Sequence, residues 1–184
     1  ESVARTEVDF VIARVGGRGY TAGAIYEDTK FDEYADGADR AGLQVGAYFF
    51  SQAISVAEAE EEAYFVLDKL RGHNITGPVV FDWEVIGKSE ARTYGIETGV
   101  LCAAANAFCE IIEDAGYDAM IYITDYAGYV KYDLSKVMDY PLWYARYDVS
   151  APTFYYDFAM WQYSSKGSVD GIKGNVDMDI WFIK

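Results

Sequence analysis

Val79–Val80–Phe81–Asp82–Trp83–Glu84 is an apolar run that ends in two carboxylates separated by one aromatic residue. Read as a strand, residues two apart share a face, so Asp82 and Glu84 project together while Trp83 points away. Their Cα atoms then lie about 6–7 Å apart. Two carboxyls forced together at a strand's end are driven to different pKa values, which is what cutting a glycosidic bond asks of a pair of acids. The plainer reading is structural, because acidic residues at strand ends also meet solvent or cap the next helix.

Outward from this stretch, strand and helix patterns alternate. Phe10–Val15 and Val45–Phe50 read as buried strands. A helix over Thr29–Ala41 stops at Gly42, and another begins at Ser55, where Glu58 completes a capping box. That second helix carries Ala59, Ala63, Val66, Leu67 and Leu70 at helical spacing and ends at Gly72. Beyond the quoted strand, a long helix is predicted over Ala91–Ala115, followed by a strand at Ala119–Ile123 and a weak helical signal through Asp133–Met138. Strands at Leu142–Arg146, Phe158–Tyr163 and Val176–Phe182 complete the pattern. Alternation of this kind implies parallel strands joined by right-handed crossovers. Seven strands are predicted, in one domain over residues 1–184, and one more at the N-terminus would close an eight-stranded α/β barrel. In such barrels chemistry gathers at the C-terminal ends of the strands, where Asp82 and Glu84 stand.

The bulk numbers narrow the partners. A chain of 184 residues that is 52% apolar suits one domain with a sizeable core and excludes whole-chain disorder. A net charge of −15 argues against nucleic acid, whose phosphates need a basic surface, and against anionic membranes; a neutral sugar chain stays compatible. The 17 tyrosines suit either the stacking platforms of a sugar cleft or half-buried barrel positions. Cys102 and Cys109 share a helix face about 10 Å apart by helical rise, too far for a disulfide, and read as small core hydrophobes. No apolar run approaches the ~20 residues of a membrane span, and no signal peptide is recognisable. No cofactor is implied. Asp177 and Asp179 alternate without His or Cys ligands, so no metal is predicted. His73, in a polar loop, reads as a surface residue, Asn74–Ile75–Thr76 fits a glycosylation sequon by form only, and Trp161 and Trp181 read as core or barrel wall.

Taken in order, VDFVIAR (8–14), GLQVGAYFFSQA (42–53), VVFDWE (79–84), YPLWYARY (140–147), MWQYSS (160–165) and NVDMD (175–179) resemble glycoside hydrolase family 25. These are the Chalaropsis-type lysozymes, or N,O-diacetylmuramidases. The resemblance spans essentially the whole chain and implies an irregular, TIM-like (β/α)5(β)3 barrel. It also implies cleavage of the β-1,4 bond between N-acetylmuramic acid and N-acetylglucosamine. The expected partner is a peptidoglycan glycan strand, met by a monomer that is extracellular, cell-wall associated or phage-delivered. Glu84 matches the general acid, Asp82 its partner, and Asp177 a further acid at the site's edge. Asp179 shares Asp177's strand face; Asp177 is favoured as the inward one. Tyr48, Tyr122, Trp143 and Gln162 match cleft-lining positions, and Arg14 is expected to hold a carboxylate in place. One departure stands out. The family opens with a short Asp-Val-Ser strand, whereas Glu1–Ser2–Val3–Ala4 matches only the tail of the helix that follows it. The barrel is therefore expected to lack its first strand and one acidic site residue, to carry an unpaired edge, and as a truncated piece to be weakly active or inactive.

The chemistry expected is hydrolysis through an oxocarbenium-like transition state, with Glu84 protonated beside an anionic Asp82. Opposite the leaving group two routes remain: attack by the substrate's own 2-acetamido oxygen, which Asp-x-Glu favours, or inversion by a carboxylate-activated water. Two rival readings compete. A family 18 chitinase or endo-N-acetylglucosaminidase also carries Asp-x-Glu at a strand end, but it looks for Asp-x-Asp-x-Glu and Val80 occupies the first acidic position. A non-catalytic carbohydrate-binding domain is the rival from another class.

Overall fold

The computed structural model describes residues 3–182. Glu1 and Ser2, assigned above to a helix tail, lie outside the described residues. After a 3-10 turn (Val3–Arg5), the chain runs β1 (Phe10–Arg18), β2 (Ile25–Glu27), α1 (Phe31–Arg40), β3 (Gln44–Ser51), α2 (Val56–Leu70), β4 (Val79–Trp83), α3 (Thr98–Asp114) and β5 (Ala119–Thr124). A π-helical turn (Ala127–Lys131) and a 3-10 turn (Leu134–Lys136) lead to β6 (Leu142–Ala145), β7 (Met160–Gly167) and β8 (Val176–Trp181).

All eight strands form one sheet in the order β2-β1-β3-β4-β5-β6-β7-β8, curled into an open half-barrel. The pairs from β1–β3 through β6–β7 are parallel, while β2 and β8 at the two ends are antiparallel to their neighbours. The parallel strands match the strand–helix alternation of the sequence, and the curled sheet matches the irregular barrel that the family resemblance implies; α1, α2 and α3 all precede β5. The sequence reading counts seven strands; the eighth is β2, three residues long, which hairpins back onto Gly16–Arg18. Such a short strand carries no period long enough to read. Among the described residues no ladder joins β1 to β8; Phe10 and Trp181 meet across that opening edge-to-face, with ring centroids 5.7 Å apart.

Residue alternation divides each strand between two environments. Val79, Phe81 and Trp83 face the helices, packing with Leu101, Phe108 and Ile112 of α3 and Ala59, Ala63 and Val66 of α2. Val80, Met120, Tyr122, Trp143 and Met160 line the concave face, with Ile12, Tyr48 and Trp181 packed against them. Burying both faces of the central strands explains why they read as nearly continuous apolar runs.

Two local expectations change. The predicted helix over Ala91–Ala115 begins only at Thr98, because Ala91–Glu97 is claimed by tertiary contacts. Arg92 N donates to Tyr20 O, the Thr93 hydroxyl bonds Gln52, and Gly95 adopts φ +74°, a left-handed turn that stops a helix from propagating backwards. At the start of α2, Ser55 Oγ caps Glu58 N as expected, but Glu58 returns its carboxylate to Ile54 N rather than to the cap residue. His73 sits half-buried against α1, bonded to Asp36 and Asp32 and edge-on to Phe31. Cys102 and Cys109 are free and buried.

Candidate active site

The register of the sheet aligns the concave side chains. Asp82 pairs with Phe50 on one side and Tyr122 on the other, and Tyr122 pairs with Trp143. Glu84 is the first residue but one beyond this row, just past the end of β4 at Trp83. Because β8 is antiparallel to β7, its N-terminal half lies at the C-terminal ends of the parallel strands. This reversal carries Asp177 and Asp179 toward Asp82 and Glu84, with Asp179 in register with Gln162.

Burial dominates the electrostatics. Asp82 is 6% exposed, and its Oδ1 has no hydrogen-bond partner among the described residues. Enclosure first, then the charge of Glu84, push its carboxyl well above the usual carboxylate range; Arg14 opposes that rise and Asp177 adds to it. Glu84 is raised by burial and by the charge of Asp177. Asp177 is raised by partial enclosure but stays exposed on β8, so the more inward of the two β8 acids is Asp179, which Trp143 holds, and not the Asp177 favoured from the sequence. The sequence reading expects Asp82 as the anion and Glu84 as the proton holder. In the structure burial weighs most on Asp82, the more enclosed of the two, so its carboxyl is pushed toward the protonated form as well as that of Glu84.

Asp179 behaves differently. Trp143 donates its Nε1 to Asp179 Oδ1 at 2.8 Å, and burial pushes this carboxyl up to about 7 against the effect of that bond. Arg14 does hold a carboxylate: its Nε bonds Asp28 Oδ2 at 2.7 Å. Asp28 follows β2 and was not singled out in the sequence, since no periodic signal marks it. Its other oxygen accepts from Lys30 N, and its own N–H bonds Val15 O.

The cleft wall is aromatic and tied together. Tyr48 and Tyr122 both meet Trp143 edge-to-face, at 6.4 and 5.1 Å between centroids. Tyr122 donates its hydroxyl to the buried Gln162 Oε1 at 2.9 Å. Tyr147 donates to the same oxygen, so two phenols fix one amide; it closes the YPLWYARY stretch but lies past the end of β6, where alternation assigns it no role. Asp82, Glu84, Asp177, Tyr48, Tyr122, Trp143, Gln162 and Arg14 thus share the concave side of the sheet. Trp161 faces the other way, its indole bonded to Arg146 O.

Such an arrangement can hold a polyol between rings and amides while delivering a proton from a buried carboxyl pair. The comparisons with known proteins agree with it. The profile of "Glycosyl hydrolases family 25" matches residues 2–172. The autolytic lysozyme of Clostridium acetobutylicum is 31% identical over 160 residues, covering 86% of this chain and 46% of that protein. Lysozyme M1 of Streptomyces globisporus is 31% identical over 168 residues, covering 85% of this chain and 56% of its own length. The chain therefore spans about half the length of the curated relatives it matches. Among solved structures, the modular autolysin LytC from Streptococcus pneumoniae in complex with a synthetic peptidoglycan ligand superposes with TM-score 0.80 at 25% identity, covering 98% of this chain and 42% of that one. By profile, relatives and fold alike, the chain belongs to glycosyl hydrolase family 25.

Proposed function

We propose that residues 1–184 are a single catalytic domain that hydrolyses the β-1,4 bond between N-acetylmuramic acid and N-acetylglucosamine in peptidoglycan, acting at the cell wall. The observation that carries this reading is the trio Asp82, Glu84 and Asp177, three carboxyls raised together at the ends of strands whose concave face is lined by Tyr48, Tyr122 and Trp143. The curated relatives it matches include two lysozymes, which supports peptidoglycan over chitin as the substrate.

In this reading Glu84 protonates the departing glycosidic oxygen, and the electron pair of the breaking C1–O bond leaves with it. The 2-acetamido carbonyl oxygen of the substrate attacks C1, forming an oxazolinium ion. Asp82 accepts the acetamido N–H and balances the positive charge, a role supported by its Oδ1, which has no hydrogen-bond partner among the described residues. Glu84, now a carboxylate, takes a proton from the water that opens the ring, and the configuration at C1 is retained. The guanidinium of Arg14 favours the anionic form of Asp82 that this step needs.

Two measurements test the proposal. Clearing of Gram-positive cell walls is expected with the wild type and lost by a factor of about 10³ or more in Glu84→Gln. New reducing ends should be muramic acid; new N-acetylglucosamine reducing ends would remove the muramidase reading. Proton NMR of the first-formed anomer separates the two stereochemical routes, and an α product would sink the acetamido mechanism.

A further inference from the structure

Glu84 lies beyond the reach of the sheet's ladder. The β3–β4 register ends at Ser51–Trp83 and the β4–β5 register at Asp82–Tyr122, so no strand partner holds the Glu84 peptide. Gln52 takes that role. Its side chain, wholly buried, donates Nε2 both to Ser51 O at 2.9 Å and to Glu84 O at 3.0 Å, extending the tie between the two strand ends by one residue. The amide cannot turn freely, because the Thr93 hydroxyl donates to Oε1 at 2.8 Å. Its backbone is fixed too: Arg92 Nη1 donates to Gln52 O at 3.1 Å, and the same guanidinium grips Glu58 of α2 with two bonds of 2.8 and 2.6 Å. Every polar atom of the Gln52 side chain is thereby committed to holding backbone or loop, and none is left to serve a ligand.

Such full commitment inside a dry site is how a geometry accurate enough for proton transfer is maintained. A displacement of about 1 Å in a reacting group can cost on the order of 10²-fold in rate. We infer that Gln52 is a positioning residue for Glu84, locked by Thr93 and by the Arg92–Glu58 clamp. The inference rests on the reading of Glu84 as the general acid. It names a function for the SQA segment (51–53) that packing alone does not require, since a leucine of similar size would fill the same volume.

The test compares Gln52→Leu and Thr93→Val with wild type on soluble peptidoglycan fragments. Gln52→Leu should lower kcat by about 10- to 100-fold with KM changed less than about threefold, and should move the alkaline limb of the kcat profile to lower pH as Glu84 gains water. Thr93→Val, which removes only the lock on the amide, should shift both in the same direction by a smaller factor, about three- to tenfold. A folded Gln52→Leu protein with wild-type kcat overturns the inference. So does one whose kcat falls while the pH profile stays in place, since that is the mark of mere structural damage. Should Gln52→Leu not fold, Thr93→Val decides alone, and unchanged kcat and pH profile there overturn the idea. Glu84→Gln is run alongside: activity surviving in that variant removes the acid reading itself, whereas an inactive Glu84→Gln beside an unaffected Gln52→Leu removes only the positioning role.

Discussion

Trp143 donates its indole N–H to Asp179 Oδ1 at 2.8 Å, whereas Asp177, two residues earlier on the same strand face, has no side-chain hydrogen bond or ion pair among the described residues. The two acids of the Val176–Asp179 segment are therefore not equivalent. Asp179 is an acceptor built into the cleft wall; Asp177 is the charge that Asp82, Glu84 and Tyr48 all feel.

Asparagine at the two positions should separate these roles. Asp179→Asn keeps an oxygen for the indole and is expected to leave kcat within about threefold. Asp177→Asn removes an uncompensated charge beside the acid and is expected to lower kcat/KM by at least about tenfold. Steady-state kinetics on a soluble muropeptide oligomer provide the check, and the reverse order of severity would reassign the β8 acid to Asp179.

The same substitution predicts a pH shift with a definite sign. Burial first, and then the negative charge of Asp177, raise Glu84, so removing that charge lets the carboxyl fall part of the way toward the ordinary carboxylate value. In the proposed mechanism activity depends on Glu84 holding its proton, so the alkaline limb of the rate profile in Asp177→Asn should move to lower pH. A limb that stays put or moves upward would mean that Asp177 does not act on Glu84.

What the sequence disclosed follows from which signals are local. The strands around Asp82 are long, apolar and periodic, and side-chain alternation alone put Asp82 and Glu84 on one face. The likeness to a family then linked positions as far apart as Arg14 and Asp177. Asp28 and Tyr147 were not legible, because each sits just past a strand and acquires its role only from a partner remote in sequence: Arg14 for one, Gln162 for the other. Helix α3 is shorter than its sequence pattern predicts for a related reason. Residues 91–97 mix weak helix formers with Gly95, and Arg92 and Thr93 are committed to Glu58 and Gln52, so tertiary bonds hold this segment outside the helix.

Behind the cleft, Glu62 of α2 is wholly buried, accepting from Arg18 Nε and Ser51 Oγ at 2.6 Å each. Burial pushes its carboxyl up to about 7 in spite of both bonds. The folded protein thus binds this proton more tightly than the unfolded chain, where a glutamate titrates near ~4.3. Its contribution to stability is greatest below that unfolded value and is lost as the pH rises through about 7. Glu62→Gln should flatten the dependence of urea-unfolding stability on pH between those two values. Glu62→Leu strips the near-buried Arg18 of this buried carboxylate, leaving it the exposed Glu61 and the backbone oxygens of Gly23 and Glu58, and should cost about 3 kcal/mol or more. An unchanged slope in Glu62→Gln would show that the buried carboxyl does not titrate in this range.

The hairpin that supplies Asp28 depends on one glycine. A Cβ at Gly16 would sit 2.2 Å from the backbone oxygen of Tyr26, and a backbone carbonyl in a ladder cannot swing aside as a flexible side chain can. Gly16→Ala must therefore push β2 away from β1, and Asp28, one residue past β2, moves with it. The expected cost is about 1–3 kcal/mol in denaturant unfolding. A second effect should follow in kinetics, because Arg14 loses the carboxylate that orients it on the concave face. Gly99→Ala is the matched control: nothing lies within 4 Å of a Cβ there, and alanine in the first turn of α3 should stabilise by about 0.4–1 kcal/mol with kinetics unchanged. If Gly16→Ala is as stable as wild type and cleaves with the same KM, the close approach of β2 to β1 is not what fixes Asp28 against Arg14.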